Sequence, residues 1–403
     1  MEIKDGDVLE YDVLVIGGGP TGTTTARFAA KNGAKTLVIE KRQEIGSPVR
    51  CGEGVSFSWL EELELEVKNT EVWSDRYMTG AKIYSPGGYV VEINQEYAGD
   101  EVGAVVERDA FDKDMARLAI KEGAEIMVKT TATQLIKEGE KVVGVKARQM
   151  GIEFEIRAKL VVGADGYESQ VGRWAGLYEA IPPKDIMTCF QYRMTNIDMD
   201  PNYTHFYMGS GAPGGYAWIF PKDETTANVG LGVQLSRLDG SLTPKDYLDK
   251  FIEERPELKK GSPIDMVAGA VSVTHPPKRT VADGIILVGD AARVVDPITG
   301  GGIVNGLKQA KIAGEVAAEA VAEDRTDAEY LQKYEKLWRE RLESKLWRNY
   351  MAKEKAMELS DEMFDKIIDA LSGMELKNVK VETVLDGVRQ KYPEIMEEIE
   401  KML

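Results

Sequence analysis

Hydrophobic positions follow three rhythms along this chain. Residues 11–16, 35–39, 159–163 and 285–288 are short apolar runs, the pattern of strands buried in a parallel sheet. Helical periodicity lies between and after them, over residues 23–31, 110–122 and 302–323. Residues 125–128 form a further strand, and residues 133–137 and 142–148 flank Gly139-Glu140-Lys141 as a hairpin. A strand-rich piece, 81–93, interrupts this region, and from 186 to 236 the rhythm becomes alternation, in runs 189–194, 205–208, 216–220 and 227–234. That pattern predicts an antiparallel sheet. From residue 327 onward the chain is helical and charged, with Trp338, Leu342, Leu346 and Tyr350 at four-residue spacing as one apolar stripe. The stripe packs on the sheet domain or inserts into lipid; in either case it closes the substrate space or sits at a membrane surface. No internal repeat is present.

Where the first strand ends, Gly17-Gly18-Gly19-Pro20-Thr21-Gly22 begins. Gly17 permits a tight turn, Gly19 lets the backbone approach a pyrophosphate, and Gly22 lets helix and strand pack closely. The diphosphate would lie on free N–H groups at the helix start. Glu40 closes the second strand, where an acidic side chain accepts hydrogen bonds from both ribose hydroxyls. Gly209, Gly211 and Gly214 satisfy the same glycine spacing, but an aromatic strand follows them rather than a helix. They read as a connection between strands, so no dedicated nicotinamide domain is expected.

Composition narrows the classes of function. The chain has 403 residues and a net charge of −17, which argues against nucleic acid and against a general basic surface for anionic lipid. Its first ten residues are polar and acidic, so no signal peptide is expected, and no stretch approaches the ~20 apolar residues of a spanning helix. A cytoplasmic protein with at most peripheral membrane contact follows. Cys51 and Cys189 are the only cysteines, and His205 and His275 the only histidines, leaving no disulfide framework and no metal site.

Two later segments complete the picture: Gly163-Ala164-Asp165-Gly166, and Gly289-Asp290-Ala291-Ala292 running through Asp296-Pro297 to Gly300-Gly301-Gly302. With the amino-terminal glycines, in this order, they read as parts of one FAD pocket. They resemble the flavoprotein fold shared by aromatic hydroxylases and geranylgeranyl reductases. Pro48-Val49-Arg50-Cys51-Gly52-Glu53-Gly54 and Tyr216-Ala217-Trp218-Ile219-Phe220-Pro221-Lys222 favour the reductases. The whole chain, tail included, is similar to the archaeal digeranylgeranylglycerophospholipid reductase family, apart from a lead before Tyr11 that is longer than usual. The resemblance implies a mixed α/β (α+β) fold of Rossmann type. Its FAD-binding domain would comprise residues 1–75, 100–180 and 277–325, its antiparallel-sheet substrate domain 76–99 and 181–276, and its helical carboxy-terminal region 326–403.

The same resemblance implies roles. Gly22 and Glu40 would hold the ADP half of FAD, Arg108 would reach the diphosphate, and Ala132 would touch the adenine end through its backbone. Asp290 would bond the ribityl or pyrophosphate region, with an N-cap as the alternative; for Arg108 the alternative is a surface salt bridge. Gly300 to Gly302 and Ile303 would turn N–H groups toward the flavin's N1–C2 edge. Asp165 either binds cofactor or only orders its loop. Cys51 lies in a loop passing beside the isoalloxazine, where its sulfur donates a proton or forms a redox pair, Arg50 favouring a thiolate and Glu53 opposing it. Alternatively only the backbone of Cys51, Gly52 and Gly54 touches the flavin. Tyr216, Trp218 and Phe220 share one face of a strand, as sheet core or as the wall of an apolar tunnel that also includes Leu346. The implied reaction is saturation of C=C bonds in geranylgeranyl ether lipids by hydride from reduced flavin, with ferredoxin, reduced deazaflavin or NAD(P)H as possible electron donors. A flavin-dependent hydroxylase or halogenase, or a non-catalytic isoprenoid carrier, are the competing functions.

Overall fold

The computed structural model describes residues 3–74, 77–94, 103–372 and 381–393. The helical expectation for 373–380 and 394–403, and the domain borders near 75 and 100, lie outside those residues. In chain order the strands are β1 (Val8–Ile16), β2 (Thr36–Ile39), β3 (Gly54–Ser56), β4 (Gly80–Tyr84), β5 (Val90–Asn94) and β6 (Gly103–Val105). Then come β7 (Glu125–Met127), β8 (Thr130–Glu138), β9 (Lys141–Gln149) and β10 (Ile152–Gly163). The alternating region holds β11 (Ile186–Thr195), β12 (Tyr203–Tyr207), β13 (Tyr216–Pro221), β14 (Ala227–Gln234) and β15 (Ser262–Ser272), and β16 (Val281–Ala282) and β17 (Ile285–Leu287) close the series. The helices that matter here are α1 (Pro20–Lys31), α2 (Arg108–Lys121), α3 (Pro244–Glu253), α4 (Ile303–Ala322), α5 (Ala328–Ala356) and α6 (Asp361–Leu371).

The first sheet runs β16-β17-β10-β1-β2-β7, with β9 and β8 paired off β10. Its inner strands are the unbroken apolar runs, because α1 and α4 cover them and no side chain of Val13–Leu14–Val15 meets solvent. Register places the glycine segments. Ile16 lies opposite both Ile39 and Gly163, and Gly163 opposite Leu287. These strands therefore end level, and the loops starting at Gly17, Ala164 and Gly289 open on one sheet edge. The lead before Tyr11 lengthens β1, with Val8 paired to Glu155 of β10.

The second sheet has seven strands in the order β15-β11-β14-β13-β12-β4-β5. It is antiparallel except for the β12–β4 pair, which is parallel because β4 arrives from far upstream. Alternation sorts its residues onto two faces. Ala217, Ile219, Val229 and Leu231 pack with Leu248 and Phe251 of α3, while Trp218 and Phe220 point the other way, packing with Met78 and Val105. Two elements lie outside the segments expected from the sequence. Ser262–Ser272 is an edge strand left largely exposed, so it carries no alternation. Helix α3 starts with a Thr243/Asp246 capping box and buries Leu248 and Phe251, one turn apart.

The tail corrects one expectation. Trp338, Leu342 and Leu346 of α5 join the core of the first sheet, not the second. Tyr334 donates to the Leu287 carbonyl at 2.6 Å and Trp338 to Thr280 Oγ1 at 3.1 Å. The helix thus covers the β16–β17 end of that sheet, which would otherwise expose apolar side chains. Only Tyr350, at the end of the stripe, turns toward the second sheet, contacting Asp185 at 3.3 Å. No helix among the described residues is long and apolar enough to cross a membrane.

Candidate functional site

A single cavity of about 2420 Å³ lies between the glycine edge of the first sheet and the inner face of the second. Ordinary single-ligand pockets hold roughly 300–1,000 Å³, so there is room for a dinucleotide and a long second ligand together. Every site residue expected above lines it, with the exception of Leu346. That side chain is 1% exposed within the first sheet's core, so its expected place in a tunnel wall is wrong: helical periodicity shows a shared face but not what that face meets. Leu346→Ala is accordingly expected to cost about 2–5 kcal/mol in chemical denaturation. Turnover per bound flavin should stay unchanged; a selective loss of turnover would return Leu346 to the site.

The glycine turn fits a dinucleotide. Gly17 has φ +114°, and a Cβ there would stand 2.2 Å from the Ala164 carbonyl oxygen. A Cβ on Gly22 would stand 2.0 Å from the Gly17 oxygen, so strand, turn and helix are in backbone contact. Gly19 meets nothing within 4 Å and lines the cavity. It is the N-cap of α1, which has no side-chain cap and no acid in its first turn, leaving its N–H groups to an anion. Helix α4 is built alike: Gly302 is its N-cap, again without a side-chain cap or first-turn acid, and Ile303 opens it. Gly209 and Gly214, both at positive φ, link β12 to β13 as a turn with no helix.

The acidic groups differ in how they are held. Glu40 accepts the Gly18 and Arg42 N–H groups, each at 2.8 Å, one on each oxygen; a carboxylate has further lone pairs for a ribose. Asp165 accepts the Val171 N–H at 2.8 Å through Oδ2, which orders the loop, while its buried Oδ1 has no partner. Such an orphaned acceptor at a cavity wall fits a ligand donor. Burial pushes the carboxyls of Asp165 and Asp290 above the usual range, the latter against the pull of Arg108. Ala132 lies on β8 beside Thr131, and both line the cavity.

Arg108 is the first residue of α2. It makes an ion pair, with Asp112 at 2.7 and 3.0 Å, but at the cavity wall with its side chain 15% exposed, not on the open surface. Although burial opposes its charge, Asp112 and then the Cys51 sulfur hold the guanidinium above its ordinary value. The cation beside Cys51 is therefore Arg108; Arg50 is exposed.

The Cys51–Gly54 loop is fastened to the second sheet. Gln191 Nε2 donates to the Cys51 carbonyl at 3.1 Å, Asn228 Nδ2 to the Gly52 carbonyl at 3.2 Å, and Trp218 Nε1 orients Gln191 at 2.9 Å. A Cβ on Gly52 would stand 3.0 Å from the Phe220 ring, so the loop lies directly on the aromatic wall. Tyr216 donates its hydroxyl to the Thr299 carbonyl, and burial, followed by nearby Cys189, raises its phenol. Cys189 also lines the cavity, its thiol pushed up to about 12 by burial and then by Cys51.

Glu53 is the residue sequence reasoning undervalued. Its charge is expected to oppose a thiolate, yet in the fold that charge is neutralised. The side chain is 1% exposed and its Oε2 meets Lys222 at 2.6 Å, Arg193 at 2.8 Å and Asn228 at 2.6 Å. Its Oε1 accepts the Arg108 N–H at 2.9 Å. One carboxylate thus ties the Cys51 loop, the start of α2 and two strands of the second sheet together. The signal was available: Glu53 is an acid between two glycines, and Lys222 is the first charge after the aromatic stretch.

Comparison with known proteins agrees with this geometry. Residues 185–271 match the family model described as the geranylgeranyl reductase catalytic domain, and residues 12–68 that of the FAD dependent oxidoreductases. The chain is 49% identical over 395 residues to a digeranylgeranylglycerophospholipid reductase of Thermoplasma volcanium, covering 98% of this chain and 99% of the other. Against a protein of the same name from Methanosarcina acetivorans it is 45% identical, over 94% and 92% of the two chains. A crystal structure of a geranylgeranyl bacteriochlorophyll reductase-like protein from Thermoplasma acidophilum superposes with a TM-score of 0.91 at 48% identity, over 98% of this chain and 100% of that one. A flavin-dependent brominase superposes with a TM-score of 0.68 at 20% identity, over 98% and 93%, which shows a common fold and nothing finer. The chain therefore belongs to the digeranylgeranylglycerophospholipid reductase family of FAD-dependent geranylgeranyl reductases.

Proposed function

We propose that this chain saturates C=C bonds in the geranylgeranyl chains of digeranylgeranylglycerol ether (phospho)lipids. The observation that carries the reading is the contact of the Cys51–Gly54 loop with the Tyr216–Trp218–Phe220 wall, inside the same cavity as the dinucleotide cradle. When bound and reduced, FAD supplies hydride for one alkene carbon while a proton is added to the other. The chain's own residues do the rest. Gly17, Gly19 and Gly22 shape the diphosphate cradle, Glu40 takes the ribose, and Ala132 meets the adenine end. Arg108, Asp290, Gly302 and Ile303 surround the remainder. Tyr216, Trp218 and Phe220 exclude water and hold the polyprenyl chain, where burial stabilises by roughly 0.8 kcal/mol per CH₂.

Cys51 is assigned as the proton donor, because its sulfur lines the cavity in the loop seated on that wall and is placed by its own loop, accepting the Glu53 N–H at 3.2 Å. Tyr216 is less suited, since its hydroxyl is already donated to Thr299. Cys51→Ser or Cys51→Ala is expected to retain FAD yet lose most turnover; unchanged turnover would remove the role. Electrons come from an external donor, of which ferredoxin, reduced deazaflavin and NAD(P)H are the candidates. Access to a lipid substrate implies at least passing contact with a membrane surface.

The deciding experiment bleaches the bound flavin with dithionite under argon and then adds geranylgeranyl lipid. Reoxidation of the flavin together with a two-dalton gain per saturated bond in the lipid's mass spectrum is expected, each double bond taking up two hydrogens. Failure of every prenyl substrate to reoxidise it would leave a carrier; oxygen-dependent NADPH consumption without saturation would indicate a monooxygenase.

A further inference from the structure

The aromatic wall also reaches across the second sheet. Strands β13, β14 and β11 lie side by side, and their register sets Trp218 opposite Gly230 and Gly230 opposite Gln191. Residues paired in this way point to the same face. Trp218 and Gln191 are thus two strands apart, about 9.5 Å at the usual strand spacing. They still meet: Trp218 Nε1 donates to Gln191 Oε1 at 2.9 Å. The middle strand permits this because Gly230 has no side chain. A Cβ there would stand 2.5 and 2.7 Å from Cζ2 and Cε2 of the indole, and 2.9 Å from Cβ of Gln191.

The Gln191 amide can point only one way. An indole N–H only donates and a peptide carbonyl only accepts. Its Oε1 must therefore face Trp218, and its Nε2 the Cys51 carbonyl at 3.1 Å. Both side chains are buried, Trp218 8% and Gln191 7% exposed, so little water competes for either bond.

The loop that carries Cys51 needs a hold from outside itself. Gly52 lies against the Phe220 ring, where a Cβ would stand 3.0 Å away, so the close approach is made by the residue with the freest backbone. Three successive carbonyls of the loop are each held by a different element. Gln191 of β11 holds that of Cys51, Asn228 of β14 that of Gly52 at 3.2 Å, and the Val106 N–H that of Glu53 at 2.9 Å. Asn228 is braced separately, by Arg193 at 3.3 Å and Glu53 at 2.6 Å. For Gln191 the only other partner of the side-chain amide among the described residues is Trp218. Fixing the peptide planes on either side of Gly52 fixes the direction from which the Cys51 sulfur enters the cavity.

We infer that Gln191 is a positioning residue for the reaction: it aims the Cys51 thiol through the Cys51 carbonyl, and Trp218 holds it in place across Gly230. This rests on the reductase reading, with Cys51 as proton donor, and gives Trp218 a role distinct from its apolar contact with the polyprenyl chain. A reacting group displaced by about 1 Å can lose about a hundredfold in rate. One buried hydrogen bond two strands away from the wall therefore bears on turnover.

Trp218→Phe keeps an aromatic ring in the wall and removes the donor. It should retain FAD and lower kcat by about tenfold or more, while KM for a geranylgeranyl lipid moves by less than about twofold. Gln191→Met, similar in length but without the amide, should lose as much. Because both act through one bond, the double variant should match Gln191→Met alone within about twofold. Gly230→Ala should reproduce the loss by pushing the indole aside. Melting temperatures of Trp218→Phe and Gln191→Met should fall by no more than about 4 °C. A readout independent of turnover is alkylation of Cys51 by iodoacetamide in the FAD-loaded protein, counted by peptide mass separately from Cys189. A less restrained loop opens more often, so this rate should rise about threefold or more in Trp218→Phe and in Gln191→Met. Full turnover in Trp218→Phe, a change in KM alone, losses that multiply in the double variant, or an unchanged alkylation rate would each overturn the inference. If the wild type reduces no prenyl lipid, or Cys51→Ser keeps full turnover, the reading beneath fails, and the alkylation rates alone decide whether Gln191 positions this loop.

Discussion

Gly17→Ala is expected to purify colourless, with flavin absorbance per protein reduced to near zero. The added Cβ would stand 2.2 Å from the Ala164 oxygen and 2.7 Å from its carbonyl carbon, both backbone atoms that cannot rotate away. The φ of +114° adds a second cost, of about 1–3 kcal/mol for a residue with a side chain. Overpacking of this kind costs about 1–3 kcal/mol more, so turn and sheet edge must shift together. Gly22→Ala should behave alike, its Cβ meeting the Gly17 oxygen at 2.0 Å. Gly19→Ala separates cradle from scaffold. Nothing lies within 4 Å of its Cβ, so the melting temperature should hold while FAD affinity falls, the new methyl occupying space reserved for the diphosphate. Stoichiometric flavin and an unchanged melting temperature in Gly17→Ala would show that the cradle has been assigned to the wrong loop.

The second large effect concerns Glu53. Burial would raise its carboxyl, but the Lys222 charge, then hydrogen bonds from Lys222, the Arg108 N–H and Asn228, hold it below its ordinary 4.5. A carboxyl depressed in the folded state contributes stability that is fully present above its unfolded value and disappears as the pH falls through the folded one. The wild type should therefore lose stability steeply on acidification below 4.5, and Glu53→Gln should flatten that slope. Breaking a buried ion pair costs about 3–5 kcal/mol. Glu107 still offers Arg193 and Lys222 a carboxylate at 3.1 Å, which puts Glu53→Ala at the lower end of that range. Glu53 also sits at φ +75°, so Glu53→Gly relieves strain worth about 1–3 kcal/mol while losing the clamp. Loss of the clamp outweighs that relief, and the glycine variant should still be less stable than wild type. Denaturant midpoints measured from pH 7 down to pH 3 decide this, and identical slopes in wild type and Glu53→Gln would dismiss the clamp.

Much of the fold was legible locally. Unbroken apolar runs marked β1, β2, β10 and β17, and alternation marked β11 to β14, because the side-chain period of an element is set by its own backbone. Two long strands went unread: β15 is exposed along most of its length, and the amino-terminal part of β10 alternates apolar and polar residues but was read only from its purely apolar end at 159–163. The tail helix shows the limit from the other side. Its stripe was visible, but the face it meets is the first sheet, so Leu346 belongs to the core and Arg348, two residues on, to the cavity.

By itself, the amino-acid sequence determined the dinucleotide turn, the aromatic strand and the identity of the loop bearing Cys51, since each depends on residue types and spacings within one short segment. Tertiary structure alone decided that Arg108 rather than Arg50 stands beside Cys51, and that Glu53 is neutralised by Lys222 and Arg193. The physical reason is range. Backbone preferences act over a few residues, whereas ion partners and cavity walls are chosen by strand register and sheet packing between positions far apart in the sequence.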